Sequence, residues 1–153
     1  MDHLNHRFFE FNTILKDIDK QYRMAANALG VSECVLWILY ALRETNDKLT
    51  QKEVVDTLLI PPQTVNSALK KMEAAGYVEL RNDTDRRSKQ IYLTETGIQL
   101  AQDTADRVIA MEMKALGELT EEEQSVFLKI FHKYQDALKK HLKNLGKENI
   151  GSE

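Results

Sequence analysis

The chain has 153 residues, of which 42% are hydrophobic and 29% are charged, and its formal net charge is −3. This composition predicts a folded domain of ordinary size and excludes a mainly disordered chain. With only 2 Pro and 6 Gly the chain has too few turn residues for an all-β fold, so we predict a mainly α-helical protein. The single cysteine, Cys34, excludes an intramolecular disulfide. The net negative charge argues against a nucleic-acid partner unless basic residues are concentrated in one region.

A membrane or secreted location is not expected. The longest uninterrupted apolar run, 34–42, has nine residues, whereas a helix that spans a bilayer needs roughly 20. Residues 1–6 lack the basic region and the apolar core of a secretion signal. We therefore expect a soluble, cytoplasmic protein without a membrane partner.

Two helices are predicted in the first 44 residues. The first ends at Gly30, and its apolar residues recur at alternating steps of four and three. These residues are Leu4, Phe8, Phe11, Leu15, Ile18, Tyr22, Ala25 and Leu29. Ser32 is a suitable N-cap for a second helix that reaches about Glu44, and the apolar run 35–42 predicts that this helix is buried on all sides.

A helix-turn-helix is predicted next. Thr50 and Glu53 have the spacing of a capping box at the start of a short helix. Pro61-Pro62 ends that helix and begins another, which extends over 63–75 and is closed by Gly76. About a third of this second helix is committed to the core, through Val65, Leu69 and Met72.

A β-hairpin follows, with two short strands at 77–80 and 90–93 that flank a polar segment, 81–89. The polar segment predicts a long basic tip. Over residues 61–90 the chain has six basic and four acidic residues, a local charge of +2, which leaves −5 for the remainder. Because the charge is divided in this way, the net charge does not exclude a DNA partner.

Two amphipathic helices complete the chain. Thr94 is a suitable N-cap for a long connecting helix over 95–116, and a second capping box, Thr120 with Glu123, opens the last helix. The apolar side of the last helix carries Phe127, Ile130, Phe131, Tyr134, Ala137, Leu138, His141, Leu142 and Leu145. The terminal regions, 1–30 and 117–146, have more apolar surface than a small central domain can cover, which predicts a helical dimer interface. The alternative is that they pack on each other within one chain. Residues 147–153 are predicted to be a disordered tail.

The exposed face of the helix over 63–75 has side chains suited to DNA. Gln and Asn can read adenine edges, hydroxyl groups can bond to bases or phosphates, and Lys neutralises phosphate or reaches guanine. The predicted DNA-binding residues are Pro62, Gln63, Thr64, Asn66, Ser67, Lys70 and Lys71 on the helix, and Arg86, Arg87 and Lys89 on the hairpin. An arginine at the tip can enter a minor groove, and Asp85 is expected to pair with one of the two arginines and hold the tip in shape.

The segment 85–97, Asp-Arg-Arg-Ser-Lys-Gln-Ile-Tyr-Leu-Thr-Glu-Thr-Gly, resembles the wing and the following helix start of the MarR family of bacterial transcriptional regulators. The family pattern is an Asp, one or two Arg, a strand, and then Leu-Thr-x-x-Gly. The residues from Thr64 to Glu79 are similar to the recognition helix and the first wing strand, and 119–123 to the start of the last helix. The resemblance covers nearly the whole chain.

This resemblance implies a winged helix-turn-helix homodimer, with a DNA-binding domain over 31–94, that binds a palindromic operator. It places Gln63, Thr64, Asn66 and Ser67 in the major groove, Arg86 in the minor groove and Arg87 as a brace of the wing. Ser67 and Lys70 stand where many members have Arg and Asp. These two departures from the family pattern imply a different operator preference. They leave Asp85 as the substitute partner of the wing arginine. A repressor that a ligand releases from DNA is the favoured mode of action.

Three features have competing interpretations. Cys34 could be a peroxide-sensing thiol, but its apolar surroundings favour a small buried side chain. His3 and His6 could share a metal ion, but two ligands are too few, so no metal or cofactor is predicted. Four aromatic residues could line a pocket for a phenolic or lipophilic effector, although core packing is the commoner role at such spacing. These are Phe11, Tyr22, Trp37 and Tyr40.

An enzyme is not predicted, because the chain has no glycine-rich phosphate loop, nucleophile motif, paired carboxylates or metal-ligand spacing. Two functions remain. The first is a ligand-responsive DNA-binding regulator, and the second is a helical protein-interaction adaptor that retains the fold without specific DNA binding. Arg86 and Arg87 favour the regulator, because an adaptor has no need for two arginines at a hairpin tip.

Overall fold

The computed structural model describes residues 2–46, 49–82 and 88–148, which form seven helices and one three-stranded sheet. The helices are α1 (Asp2–Ala28), α2 (Glu33–Glu44), α3 (Gln51–Thr57), α4 (Pro62–Ala74), α5 (Glu95–Asp103), α6 (Ala105–Gly117) and α7 (Glu121–Glu148). The strands are β1 (Leu49–Thr50), β2 (Val78–Asn82) and β3 (Lys89–Leu93), and they pair antiparallel in the order β1-β3-β2. The prediction of a mainly α fold with a small hairpin is confirmed. The chain divides into two compact units between Ala110 and Met111.

Two helices of the first unit end at the predicted glycines. Gly30 and Gly76 have φ values of 71° and 76°, in the left-handed region that glycine adopts without steric cost. In each case the N–H of the next residue donates to the carbonyl five residues earlier, at 3.1 Å from Val31 and 2.9 Å from Tyr77. This is the Schellman arrangement, which satisfies carbonyls that the helix itself leaves unpaired.

The core of the first unit is built around α2. Ser32 caps α2 as predicted, since its side chain accepts a hydrogen bond from the N–H of Val35 at 3.2 Å. Five of its residues are buried: Leu36, Ile38, Leu39, Ala41 and Leu42. They belong to one cluster with Val54 of α3, Val65, Leu69 and Met72 of α4, and Val78 and Ile91 of the sheet. Val35, Trp37 and Tyr40 are half-buried, so the prediction of complete burial holds for one side of α2 only.

Two elements differ from the prediction. The two-residue strand β1 was not predicted, because it is too short to show an alternating pattern; it exists through pairing with β3, where Leu49 lies opposite Ile91. The single helix predicted over 95–116 is interrupted at Thr104, where the backbone has φ −125° and ψ −84°. The hydroxyl of Thr104 donates to the carbonyl of Leu100 at 2.6 Å, which satisfies this otherwise buried polar group.

The two terminal helices have extensive exposed apolar surface. In α1 the predicted seam divides: Tyr22, Ala25 and Leu29 pack against the core, whereas Leu4, Phe8, Leu15 and Ile18 are exposed. In α7, which has 28 residues and is therefore about 42 Å long, the exposed apolar residues are Val126, Phe127, Leu128, Ile130, Phe131, Tyr134, Leu138, Leu142 and Leu145. Helix α7 extends through Glu148, so the predicted tail of 147–153 begins too early, and 149–153 lie outside the described residues.

No single helix within the described segments has the length and hydropathy of a membrane span. Helices α1 and α2 reach those values only when taken together, and they are bent by 96° relative to each other.

Candidate nucleic-acid interface

The helix-turn-helix consists of α3 and α4, and its first helix begins at the predicted capping box. The N–H of Glu53 donates to Oγ1 of Thr50 at 3.2 Å, and the N–H of Thr50 donates to the Glu53 carboxylate at 2.7 Å. The hydrogen bond from the Thr50 N–H, together with one from its hydroxyl, lowers the pKa of Glu53. The capping box is therefore confirmed, and it defines where α3 starts.

Helix α4 buries one side and exposes the other. Its buried residues are Val65, Ala68, Leu69 and Met72. The exposed residues include six of the predicted DNA-binding positions: Pro62, Gln63, Thr64, Ser67, Lys70 and Lys71. Pro62 occupies the first helical turn, where a missing N–H costs nothing. The exposed side of α4 thus combines amide, hydroxyl and ammonium groups, which are the groups that contact base edges and phosphates.

Asn66 is the exception on this helix, because it is half-buried rather than exposed as predicted. Its Oδ1 accepts a hydrogen bond of 2.7 Å from Nε2 of Gln51, the first residue of α3. The side-chain amide of Asn66 is therefore held by the neighbouring helix.

The base of the wing is attached to the start of α3. The backbone N–H of Lys52 donates to Oγ of Ser88 at 3.1 Å, and Nε2 of Gln90 donates to the carbonyl of Leu49 at 2.9 Å. Between α3, α4 and the wing lies a groove of about 500 Å³, which we call the HTH-wing groove. It is lined by Gln51, Lys52, Val55, Pro62, Asn66, Asn82, Ser88 and Lys89. The arrangement fixes the wing strands relative to the helix-turn-helix.

The basic side chains of this region differ in whether an acidic side chain already neutralises their charge. Arg81 is paired with Glu79 at 2.6 Å, and its guanidinium lies 4.6 Å from the centre of the Tyr92 ring. Lys52 donates to Asp56 at 2.9 Å, and this hydrogen bond raises the pKa of Lys52. The predicted Lys89 is exposed at the start of β3.

The predicted wing-tip residues Asp85, Arg86 and Arg87 lie outside the described residues. Their assigned roles in pairing and in minor-groove contact therefore stay predictions.

The Leu-Thr-x-x-Gly segment connects the wing to α5. Thr94 caps α5 by accepting from the N–H of Gly97 at 3.1 Å, and the hydroxyls of Thr94 and Thr96 donate to the carbonyl of Gly76 at 2.5 and 2.9 Å. A Cβ at Gly97 would lie 1.9 Å from the carbonyl oxygen of Tyr77, so only glycine fits there. These contacts join the start of α5 to the turn that follows α4.

Three of the four predicted pocket residues form one aromatic cluster. The ring centres of Tyr22 and Trp37 are 4.9 Å apart, and those of Trp37 and Tyr40 are 5.4 Å apart. Phe11 is half-buried on α1, eleven residues before Tyr22 and therefore about 16 Å away along the helix axis. A cleft of about 600 Å³ lies beside the cluster and is lined by Asp19, Arg23, Glu33, Trp37, Thr57, Leu58, Leu59 and Ile60. Of the predicted pocket residues, Trp37 is among those that line it.

Cys34 is half-buried, with its Sγ 4.0 Å from the carbonyl oxygen of Thr64. Burial raises the pKa of the Cys34 thiol. A raised pKa disfavours the reactive thiolate, which agrees with the interpretation of Cys34 as a small packed side chain.

Sequence reasoning missed five residues that line the HTH-wing groove: Gln51, Lys52, Val55, Asn82 and Ser88. Gln51 is 15 residues from its partner Asn66, and Ser88 is 36 residues from Lys52. No periodicity connects such distant positions. The one available signal was the position of Gln51 and Lys52 directly after the capping residue Thr50, at the start of the helix that leads into the turn.

The chain is similar to known proteins in sequence and in structure. Residues 29–88 match the model of the MarR family. The chain is 25% identical over 135 residues to the HTH-type transcriptional regulator YwoH of Bacillus subtilis (strain 168), which covers 88% of this chain and 98% of YwoH. Its structure is similar to that of NMB1585, a MarR family regulator from Neisseria meningitidis, with a TM-score of 0.71, 21% identity and coverage of 94% and 99% of the two chains. It is also similar to the MepR chain of the S. aureus MepR-DNA complex, with a TM-score of 0.65, 23% identity and coverage of 85% and 96%.

Proposed function

Because residues 29–88 match the model of the MarR family, we propose that the chain is a regulator of this family: a homodimeric repressor that reads a palindromic operator and is released by a ligand. The observation that carries the proposal is the solvent side of α4, where amide, hydroxyl and ammonium groups stand beside the HTH-wing groove. The solved complex of a structural relative, MepR of S. aureus, with DNA supports the same use of the fold. The regulator acts in the cytoplasm, where its operator is.

In this proposal α4 enters the major groove. Gln63, Thr64 and Ser67, in its N-terminal half, face base edges, as the first residues of a recognition helix do. Lys70 and Lys71, further along the helix, contact phosphates and supply affinity without sequence preference. Arg86 reaches the adjacent minor groove, where negative potential is concentrated.

Exposed apolar residues on α1 support homodimer formation, and so do those on α7. Exposed apolar residues follow one another along α7 at steps of three and four, from Phe127 and Ile130 to Leu142 and Leu145. The N-terminal half of α1 exposes Leu4, Phe8 and Ile18. Apolar surface of this extent is costly in water and is usually covered by a partner. A dimer also presents two copies of α4, which a palindromic operator requires, with half-sites roughly 34 Å apart.

Ligand response is supported by the cleft beside Trp37. Its volume of about 600 Å³ lies within the range of small-molecule sites. Trp37, Leu58 and Ile60 supply apolar surface for a phenolic or lipophilic molecule. A ligand that binds better to a dimer with altered spacing of its α4 helices shifts the population away from the DNA-binding form.

The chain has one tryptophan, and it lines this cleft, so its fluorescence reports directly on binding. Titration with salicylate is expected to change the Trp37 emission and to reduce DNA affinity over the same concentration range. A saturable fluorescence change without any loss of DNA affinity would contradict the assignment of the cleft as an effector site.

The DNA-binding proposal is tested by the salt dependence of affinity. We expect the protein to shift a DNA fragment from the region flanking its own gene, because regulators of this kind commonly bind there. Arg86→Ala removes from each subunit one positive charge that lies near the DNA phosphates. The logarithm of Kd should therefore vary less steeply with the logarithm of the salt concentration, and the slope should fall by about 2 for a dimer. Fluorescence anisotropy at several salt concentrations provides the measurement.

Arg81→Ala is the matched control, since it removes the same charge from the same hairpin. Arg81 is already paired with Glu79 and stacked on Tyr92, so its loss should leave the slope nearly unchanged. If Arg86→Ala retains the wild-type affinity and slope, the wing assignment is wrong. If the wild-type protein binds no DNA above the non-specific level, the adaptor alternative is favoured.

A further inference from the structure

The side chain of Asn66 lies between the HTH-wing groove and the side chain of Gln51. It lines the HTH-wing groove, on the side of the molecule assigned above to DNA, and its Oδ1 accepts a hydrogen bond from Gln51 of α3. Both residues are half-buried, which favours a single geometry for the pair. With Oδ1 directed at α3, the Nδ2 group is the part of the amide that remains for other partners.

We propose that Gln51 is a specificity-determining residue of the regulator: it orients the Asn66 amide so that Asn66 presents a donor, rather than a donor and an acceptor together, to the operator. The inference rests on the proposed function, because it assumes that α4 lies in the major groove. Gln51 acts through Asn66 and is therefore a positioning residue.

The consequence for base reading follows from the chemistry of the amide. A bidentate pair with adenine needs Oδ1 to accept from N6 and Nδ2 to donate to N7, so both atoms must face the base. In this proposal the hydrogen bond from Gln51 engages one of the two lone pairs of Oδ1 on the α3 side, and Nδ2 is the group that contacts the base. A lone Nδ2 donor matches the major-groove acceptors of guanine (N7 and O6), adenine (N7) and thymine (O4), and does not match the N4 donor of cytosine.

Gln51 is held in a fixed position, as this role requires. It is the first residue of α3, between the capping residue Thr50 and Lys52, whose N–H donates to Ser88. The backbone at Gln51 is thus fixed by the capping box on one side and by the wing on the other. Its side chain has a short, defined path to Asn66, and the 2.7 Å separation is that of a well-formed hydrogen bond.

The decisive variant is Gln51→Glu. A carboxylate can only accept, so the Asn66 amide must rotate to donate Nδ2 to residue 51 and to present Oδ1 to DNA. Cytosine, which a lone donor disfavours, should become favoured over guanine at one position of each half-site. We expect a change of roughly tenfold in the guanine-to-cytosine preference at that position, the size of a single discriminating hydrogen bond.

The experiment selects a randomised double-stranded DNA library with the wild-type full chain and with each variant, and sequences the bound fraction. Gln51→Leu, which neither donates nor accepts, should reduce the base preference at that position without reversing it. Lys52→Gln is the matched control for charge: it changes the charge by the same amount at the next residue and should leave the base preference at every position unchanged. In an Asn66→Ala background, Gln51→Glu should have no further effect on base preference.

The outcomes separate this inference from the proposed function. If the wild-type protein selects no sequence, the proposed function fails and the inference fails with it. If the wild type selects an operator and the Gln51 variants select the same bases at every position, the inference alone is overturned. That second result would also follow if Asn66 Nδ2 contacted a phosphate, since a phosphate contact carries no base preference.

Discussion

Gly97 lies where the first turn of α5 passes the carbonyl of Tyr77. A Cβ at this position would be 1.9 Å from the Tyr77 oxygen and 2.9 Å from its carbonyl carbon. Both atoms belong to the backbone, so relief requires a shift of the chain rather than a side-chain rotation. The glycine of the Leu-Thr-x-x-Gly motif is therefore explained by close packing of α5 on the turn after α4.

We predict that Gly97→Ala lowers the free energy of unfolding by about 2 kcal/mol or more, because the added methyl group overpacks against backbone. Urea denaturation at a fixed protein concentration measures the change. Gly117→Ala is the control, since a Cβ at Gly117 meets nothing within 4 Å. That variant should be as stable as the wild type or slightly more stable. Equal stability of the two variants would contradict the account of Gly97.

Cys34 allows a pH-dependent prediction. Because burial raises the pKa of its thiol, the thiolate fraction near pH 7.5 is smaller than that of an ordinary cysteine. Alkylation of the native protein by iodoacetamide should be slower than alkylation of the urea-unfolded protein, and its rate should still rise with pH above the ordinary pKa of a thiol. Native alkylation as fast as in the unfolded chain would show that Cys34 is a reactive thiol after all.

Helices α2 and α6 are connected by an ion pair between the last turn of one and the first turn of the other. Nε and Nη2 of Arg43 each lie 2.8 Å from an oxygen of Asp106, with side-chain exposures of 26% and 31%. Because Thr104 interrupts the helix, the direction in which α6 starts is not inherited from α5. The bidentate geometry of this pair is well suited to hold that direction.

A double-mutant cycle with Arg43→Ala and Asp106→Ala should give a coupling energy of about 1 kcal/mol, more than an ordinary surface pair because the contact is bidentate and partly buried. Thermal or urea unfolding of the four proteins supplies the values. Additive effects of the two substitutions would mean that the pair does not stabilise the α2–α6 contact.

The net charge of −3 and the apolar terminal helices both agree with the proposed dimer that contacts DNA through α4 and the wing. In the proposed DNA complex the acidic remainder of the chain keeps most of the surface away from phosphates, so contact depends on the region of α4 and the wing. A single such region with a local charge of +2 gives limited affinity. Two copies in the proposed dimer double the contacts, so we expect α7 to be important for DNA binding as well as for assembly.

We predict that the wild-type protein sediments as a dimer at micromolar concentration and that Leu138→Asp shifts it towards monomer, because a carboxylate would be buried in an apolar interface. Leu138 is 42% exposed in the single chain. Lys140→Asp is the control on the same helix, since Lys140 lies on the opposite side of α7 from Leu138 and should leave the dimer intact. A stable wild-type monomer in sedimentation velocity would refute the dimer.

Local features were predictable from the sequence because their signals lie within a few residues of each other. The caps at Ser32, Thr50 and Thr120, and the helix ends at Gly30 and Gly76, each depend on side chains or φ values close along the chain. The polar side of α4 and the two hairpin strands follow from periodicity. The roles of Arg86 and Arg87 at the wing tip, by contrast, stay predictions.

The remaining features depend on the tertiary structure because they join residues that are distant in the chain. Gln51 meets Asn66 across 15 positions and Arg43 meets Asp106 across 63. Strand β1 exists only through its pairing with β3, and Thr104 interrupts a helix that its own residues do not forbid. The sequence alone therefore determined the mainly α-helical fold class and the exposed polar side of α4. The packing of α3 against α4 decided that the Asn66 side chain of that helix is bonded to Gln51, since a hydrogen bond between two helices has no signature in either one alone.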